Sequence, residues 1–143
     1  MEARRREGIH VVRLDRGEAV IASLQAYVGE RGILGGSIVG IGAVEEAEIG
    51  IYPPAERRYV KRTFRSAREL VSLTGTISRL DGRPFVHAHV VLSDEDFRAI
   101  GGHLFEARVA VTGEFVIHEA PIASSRMMDD ATGLKLMRFE AGS

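Results

Sequence analysis

The stretch from Arg83 to Leu104, RPFVHAHVVLSDEDFRAIGGHL, constrains this chain more than any other. Phe85 to Leu92 is apolar apart from two histidines, rich in Val, preceded by Pro84 and ended by Ser93-Asp94. Such a run predicts a strand covered on both faces. Alternation along a strand places His87 and His89 on one face, together with Phe85 and Val91. Ser93 to Arg98 predicts a turn, and Ile100-Gly101-Gly102-His103-Leu104 begins a returning strand. A hairpin centred on Asp96 sets His89 opposite His103, and His87 opposite Phe105. Directly opposed residues have Cβ atoms roughly 4.5–5.5 Å apart. His87, His89 and His103 can therefore converge on one divalent ion. A slip of one residue would turn His103 to the other face. Zinc is the expected metal, because neutral imidazoles suit it and no thiolate or carboxylate cluster points elsewhere. Gly101 and Gly102 permit close backbone approach or a bulge at the edge of such a site.

The remaining composition narrows the class. A chain of 143 residues, 45% hydrophobic and with net charge −1, predicts one globular domain spanning residues 1–143. No cysteine is present, which excludes disulfides and thiolate metal sites and suits a reducing compartment. The N-terminal MEARRREGIHVV has no apolar signal core, and no apolar run approaches the ~20 residues that span a bilayer. A cytoplasmic protein without a membrane partner is expected. The near-neutral charge gives no global attraction to nucleic acid, so any such contact must come from a local patch.

In chain order, Ile9 to Leu14 predicts a strand. Arg16 to Arg31 predicts the one amphipathic helix, with Asp15 and Glu18 as a capping pair and Val20, Ile21, Leu24, Tyr27 and Val28 on its apolar stripe. Gly35 to Val44 is glycine-rich and apolar. It lacks the Gly-Lys-Ser/Thr of a phosphate loop and the glycine spacing of a dinucleotide fingerprint, so a closely packed strand is expected. Glu46 to Tyr52 alternates as a strand that Pro53-Pro54 ends. Glu56 to Arg68, ERRYVKRTFRSAR, predicts a charged edge strand, and Arg4-Arg5-Arg6 a frayed terminus. Glu69 to Leu80 is a long strand followed by an Asp81-Gly82 turn. Gly82-Arg83-Pro84 has the core of a minor-groove hook, but Asp81 stands where a second arginine is needed and strands flank it. Arg108 to His118 is another strand, Ala120 to Asp130 a loop, and Gly133 to Phe139 a closing strand. One helix and about seven strands make an α+β fold with a mostly antiparallel sheet.

Several ordered motifs carry a family likeness. They are Gly40-Ile41-Gly42-Ala43-Val44, Leu73-Thr74-Gly75-Thr76-Ile77-Ser78, Gly82-Arg83-Pro84-Phe85-Val86-His87-Ala88-His89, Gly101-Gly102-His103-Leu104 and Thr132-Gly133-Leu134-Lys135-Leu136. Together they resemble the plant- and prokaryote-conserved (PPC) domain, also described as a PD1-like DNA-binding domain, from about Val11 to Phe139. The resemblance implies antiparallel strands around one main helix, assembled as a homotrimer. It also implies metal, zinc foremost, at the His-x-His and Gly-Gly-His positions, here His87, His89 and His103. Plant members add AT-hooks and act in nuclei; this chain has no hook and resembles the stand-alone prokaryotic type. The plant partner-contact hexapeptide Gly-Arg-Phe-Glu-Ile-Leu is replaced by Ser66-Ala67-Arg68-Glu69-Leu70-Val71, so plant-type partner binding does not carry over.

Three functional readings follow. In the first, a non-catalytic trimer has a DNA-associated or regulatory role, with weak, sequence-independent DNA contact through Arg57, Arg58, Lys61, Arg62 and Arg65. In the second, a zinc-dependent enzyme acts on a small molecule, with Glu114, Glu119 or Asp94 as general base. In the third, the metal only stiffens the subunit or the trimer contact.

Overall fold

The structure is a computed structural model and describes residues 1–139. Its elements are β1 (Glu2–Arg6), β2 (Ile9–Asp15), α1 (Val20–Glu30), β3 (Gly35–Ile51), β4 (Val60–Phe64), β5 (Arg68–Leu80), β6 (Arg83–Ser93), β7 (Ala99–Ala120), β8 (Ser124–Asp129) and β9 (Leu134–Phe139). Among the described residues this is a mostly-β fold with a single short helix. Every strand pairing except one is antiparallel, the exception being a lone β5–β8 bridge at Arg79 and Ser125. No helix among them is long and apolar enough to cross a membrane.

β7 holds the architecture together. Over its 22 residues the first five pair with β6, the stretch from His103 onward pairs with β3, and Thr112 to His118 pair with β2 as well. Because β3 pairs with β5 and β5 with β6, the path β3–β5–β6–β7 closes on itself. Glycine makes the closure possible. A Cβ on Gly102 would sit 2.7 Å from the Gly50 carbonyl oxygen, and one on Gly101 2.8 Å from that of Val90. The close approach expected of this pair is thus what lets β7 lie between β6 and the far end of β3.

Inside the closed path, Val86, Ala88, Val90 and Leu92 of β6 join Leu24, Tyr27 and Val28 of α1 in one core with Ile38, Leu73, Phe115 and Ile117. The opposite face of β6 is open: His89 and Val91 are exposed. The sequence reading of this strand as covered on both faces is therefore corrected, since its alternation is that of a one-sided strand.

Other boundaries differ for identifiable reasons. The helix begins at Val20 rather than Arg16, because Gly17 takes φ +85 and residues 15–18 form a turn closed by the Glu18 N–H on the Asp15 carbonyl. Half of the capping pair forms, with the Asp15 N–H donating to Glu18 Oε2 at 2.6 Å. The helix itself is capped from elsewhere. The Ile21 and Ala22 N–H groups donate to the Glu106 carboxylate of β7 at 2.8 and 3.1 Å. A carboxylate at a helix N-terminus satisfies orphan donors and meets the positive end of the helix dipole.

The strands predicted at Gly35–Val44 and Glu46–Tyr52 are one strand, β3, bulged between Gly40 and Gly42 and again between Glu45 and Glu48. Those at Ile100–Leu104 and Arg108–His118 are likewise one strand, β7. Arg4-Arg5-Arg6 is not frayed but lies in β1, a hairpin partner of β2. The loop predicted over Ala120–Asp130 contains β8, paired with β9. The basic segment supplies β4, an edge strand bound only to β3.

Candidate metal centre

The hairpin register places the three histidines. β6 and β7 pair Ser93 with Ala99 and His89 with His103, which centres the turn on Asp96. The turn is held by Asp94, whose Oδ1 accepts from the Asp96 and Arg98 N–H groups at 3.1 and 3.0 Å. Pairing ends at His89–His103, and His87 lies instead across from Thr76 of β5. The predicted opposition of His87 and Phe105 is thus not part of the β6–β7 ladder.

The three imidazoles nevertheless meet. One nitrogen from each of His87, His89 and His103 lies within 4.8 Å of the others. Ring centroids are 4.9 Å apart for His87–His103, 5.1 Å for His87–His89 and 5.5 Å for His89–His103. Zinc–nitrogen bonds of about 2.0–2.1 Å at tetrahedral angles need nitrogens about 3.3 Å apart, so modest ring rotations suffice. His103 Nδ1 is buried without a hydrogen-bond partner. An orphaned buried ring nitrogen is costly unless something binds it. Three imidazoles, one of which carries the orphan nitrogen, fit a divalent cation.

Electrostatics keeps two of the rings neutral. Burial, then the Arg126 charge and the neighbouring imidazoles, lowers the His87 pKa to about 4. Burial, then His89, Arg126 and Lys61, does the same for His103, also to about 4. A neutral imidazole offers the lone pair a metal needs. These shifts also set a pH dependence for the metal-free protein. Between about pH 6.5 and 4 the unfolded chain takes up protons on these two residues that the folded chain resists. Stability should therefore fall as the pH drops through that window. Denaturation midpoints at pH 7 and pH 4.5 measure it, and His103→Gln should flatten the dependence; an unchanged slope would remove burial of His103 as its cause.

Arg126 of β8 is a neighbour that nothing in its own stretch of sequence announced. Its Nη2 donates to His87 Nδ1 at 3.0 Å, its Nε to Ser78 Oγ at 3.0 Å and its Nη1 to the Lys135 carbonyl at 3.2 Å. The guanidinium also lies 5.1 Å from the centroid of the Phe85 ring. Tyr59, missed likewise, packs 5.2 Å from His103 and 5.0 Å from Phe105. These residues border a pocket of about 330 Å³ that also takes in Gln25, Leu80 and Leu136.

The other predicted residues fall elsewhere. No carboxylate lines this pocket among the described residues. Glu119 sits at the opposite end of β7, 3.3 Å from the buried His10, which also bonds Tyr27. Glu114 lies on the open sheet face beside Ile41, and Asp94 holds the turn. None is positioned as a general base, and that assignment is withdrawn. His118 is exposed on β7 opposite Ser37, outside the cluster.

The basic residues are exposed but partly neutralised. Lys61 pairs with Glu48 at 2.7 Å, Arg58 with Glu56 at 2.6 Å, and Arg57 Nη2 donates to the Asp130 carbonyl at 2.6 Å. Arg62 lies over the Phe64 ring. Arg65 follows it just beyond the end of β4.

Known proteins share this fold. A candidate DNA-binding protein from Bacteroides thetaiotaomicron superposes with TM-score 0.92 at 31% identity, over 96% of each chain. A metal-containing protein from Archaeoglobus fulgidus gives TM-score 0.85 at 35% identity, over 96% of this chain and 95% of its own. A plant- and prokaryote-conserved protein from Pyrococcus horikoshii gives 0.84 at 30%, over 99% and 95%. No curated protein matches the chain. The profile of one family matches residues 1–121, a span that includes the whole histidine hairpin, and by that match the chain belongs to the Plants and Prokaryotes Conserved (PCC) domain family.

Proposed function

We propose that this chain is a homotrimeric metal-binding protein that holds one zinc ion on His87, His89 and His103, with the pocket beside the ion receiving a small molecule. The observation that carries the reading is the convergence of three imidazoles, one of them with an orphaned nitrogen, beside a pocket. The metal content of the Archaeoglobus relative supports it. Bound there, zinc would act as a Lewis acid on a ligand oxygen. The chain's own residues neutralise the ligands by burial, shape the pocket and present Arg126 at its wall. Competition against a chromogenic chelator tests the reading: one equivalent of zinc per chain should resist the chelator, and none retained would refute it.

Trimer formation is supported by the open face of the sheet. The register aligns Val11, Val116, Val39, Thr74, His89 and His103 in one row across the strands. Val11, Val39, Ile41, Val71, Val91 and Val111 on these strands are all exposed. An exposed face with this many apolar side chains needs cover. Light scattering at micromolar concentration should return three times the 15.6 kDa chain mass; a stable monomer would contradict it.

A DNA-associated role is supported by the Bacteroides relative and by β4. With Lys61 and Arg58 already paired, contact should be weak and indifferent to sequence. Affinity should fall with log salt at a slope of about −0.9 per phosphate contact. Tight, base-selective binding at high salt would contradict this and point to groove-reading arginines.

A further inference from the structure

We infer that the pocket beside His87 and His103 binds a small organic carboxylate, its carboxylate held by Arg126 and its apolar body set against Phe85, Leu80, Leu134 and Leu136. The inference rests on the metal reading only for its coupling to the ion, and on Arg126 and Gln25 for the ligand's polar contacts.

The pocket wall carries an uncompensated charge. Arg126 lies at a partly buried position where desolvation works against its cation. Among the described residues it has no carboxylate partner, whereas Arg68, also well covered, faces Asp94 at 3.4 Å. Neutral groups take up three of its N–H donors: the Ser78 hydroxyl, the Lys135 carbonyl and His87 Nδ1. A guanidinium has five, so one proton remains on each terminal nitrogen, a pair that suits the two oxygens of a carboxylate. Anchored by Ser78 and Lys135 and stacked on Phe85, the group is pre-organised, so little is lost when an anion arrives.

Two further features choose the ligand class. The wall is largely aliphatic and aromatic, and its volume of about 330 Å³ is at the small end of ligand pockets. Inorganic phosphate, polar all round, would leave that wall without a partner. Gln25 spends its Oε1 on the Val86 N–H at 3.1 Å, so its amide donors are left for a second ligand oxygen.

Metal and anion are coupled through His87. A neutral imidazole has one lone pair and one N–H. While His87 Nδ1 accepts from Arg126, its Nε2 carries the proton and cannot bind metal. When metal takes Nε2, Nδ1 is protonated and no longer accepts from Arg126; when metal takes Nδ1, Arg126 is displaced outright. Zinc at His87 therefore frees a further Arg126 donor for the anion. Coupling of this kind is reciprocal, so each ligand should raise the affinity of the other.

The test is calorimetric titration of zinc-loaded and metal-free protein with benzoate, using benzyl alcohol and inorganic phosphate as controls and metal content measured on every sample. Benzoate should bind, more tightly with zinc than without, and neither control should compete. Arg126→Gln should weaken benzoate at least tenfold with zinc retained, and Arg126→Lys, which keeps the charge but not the planar fork, should fall between. Zinc uptake without benzoate binding, or benzoate binding unaltered in Arg126→Gln, overturns the pocket assignment alone. Arg126-dependent benzoate binding in a protein that takes up no zinc upholds the anion site and sinks the metal reading instead.

Discussion

His103→Ala protein should leave zinc loading with no retained metal, while the wild type keeps one ion per chain. His103 faces His89 across the β6–β7 ladder and Gly50 across the β3–β7 ladder, so it is the histidine on which closure of the strands converges. Removing it leaves two imidazoles, both on β6, and no third histidine, cysteine or carboxylate in the group among the described residues. The loss should exceed the 10–100-fold that disrupting an outer-shell partner costs. His87→Ala and His89→Ala should behave alike, whereas His118→Ala should retain the metal, since His118 lies outside the cluster on β7. Each variant is checked by thermal unfolding, which separates loss of ligand from loss of fold. Zinc retained by His103→Ala would mean that the hairpin geometry does not make the site.

Phe115→Ala should lower stability by about 3–5 kcal/mol, the range for a buried aromatic reduced to a methyl. The placement argues for the upper part of that range. Phe115 is fully buried, and its ring occupies the space two glycines leave empty. A Cβ on Gly40, its partner across the β3–β7 ladder, would overlap Phe115 Cδ1, and one on Gly113 would come 2.8 Å from Cε2. Neighbours without side chains cannot move in to fill the hole. Phe97→Ala, at a turn position 91% exposed, should cost no more than about 0.5 kcal/mol. Denaturant unfolding of both variants at one fixed protein concentration makes the comparison, because assembly adds a concentration-dependent term. Equal losses would mean that the glycine–aromatic contact contributes little.

The same residues show what the sequence could and could not disclose. The β6–β7 register was legible because a short polar turn between two apolar runs leaves few ways to pair them, and His89 and His103 fall equidistant from Asp96. The need for glycine at Gly101 and Gly102 was legible too, as close approach, though not which strand would approach. The unity of β3 and β7 was not. Glu45-Glu46 interrupts the apolar pattern as a turn would, and only the tertiary structure makes the chain bulge there, with Glu46 at φ +50. The helix start moved because its cap, Glu106, lies 85 residues away from Ile21 and so outside any local pattern. Arg126 was invisible for the same reason. Its strand reaches Ser78 and His87 through the lone parallel bridge to β5, and no periodicity in a loop-like segment encodes such a contact. Local chemistry thus disclosed the histidine cluster, and only the fold disclosed its surroundings.

The most direct measurement is anomalous diffraction at the zinc edge from crystals of zinc-loaded protein. One peak per chain should lie among the ring nitrogens of His87, His89 and His103, with Arg126 withdrawn from His87 and an open coordination position toward the pocket. No peak in zinc-loaded crystals, or a peak held by other residues, would contradict the account.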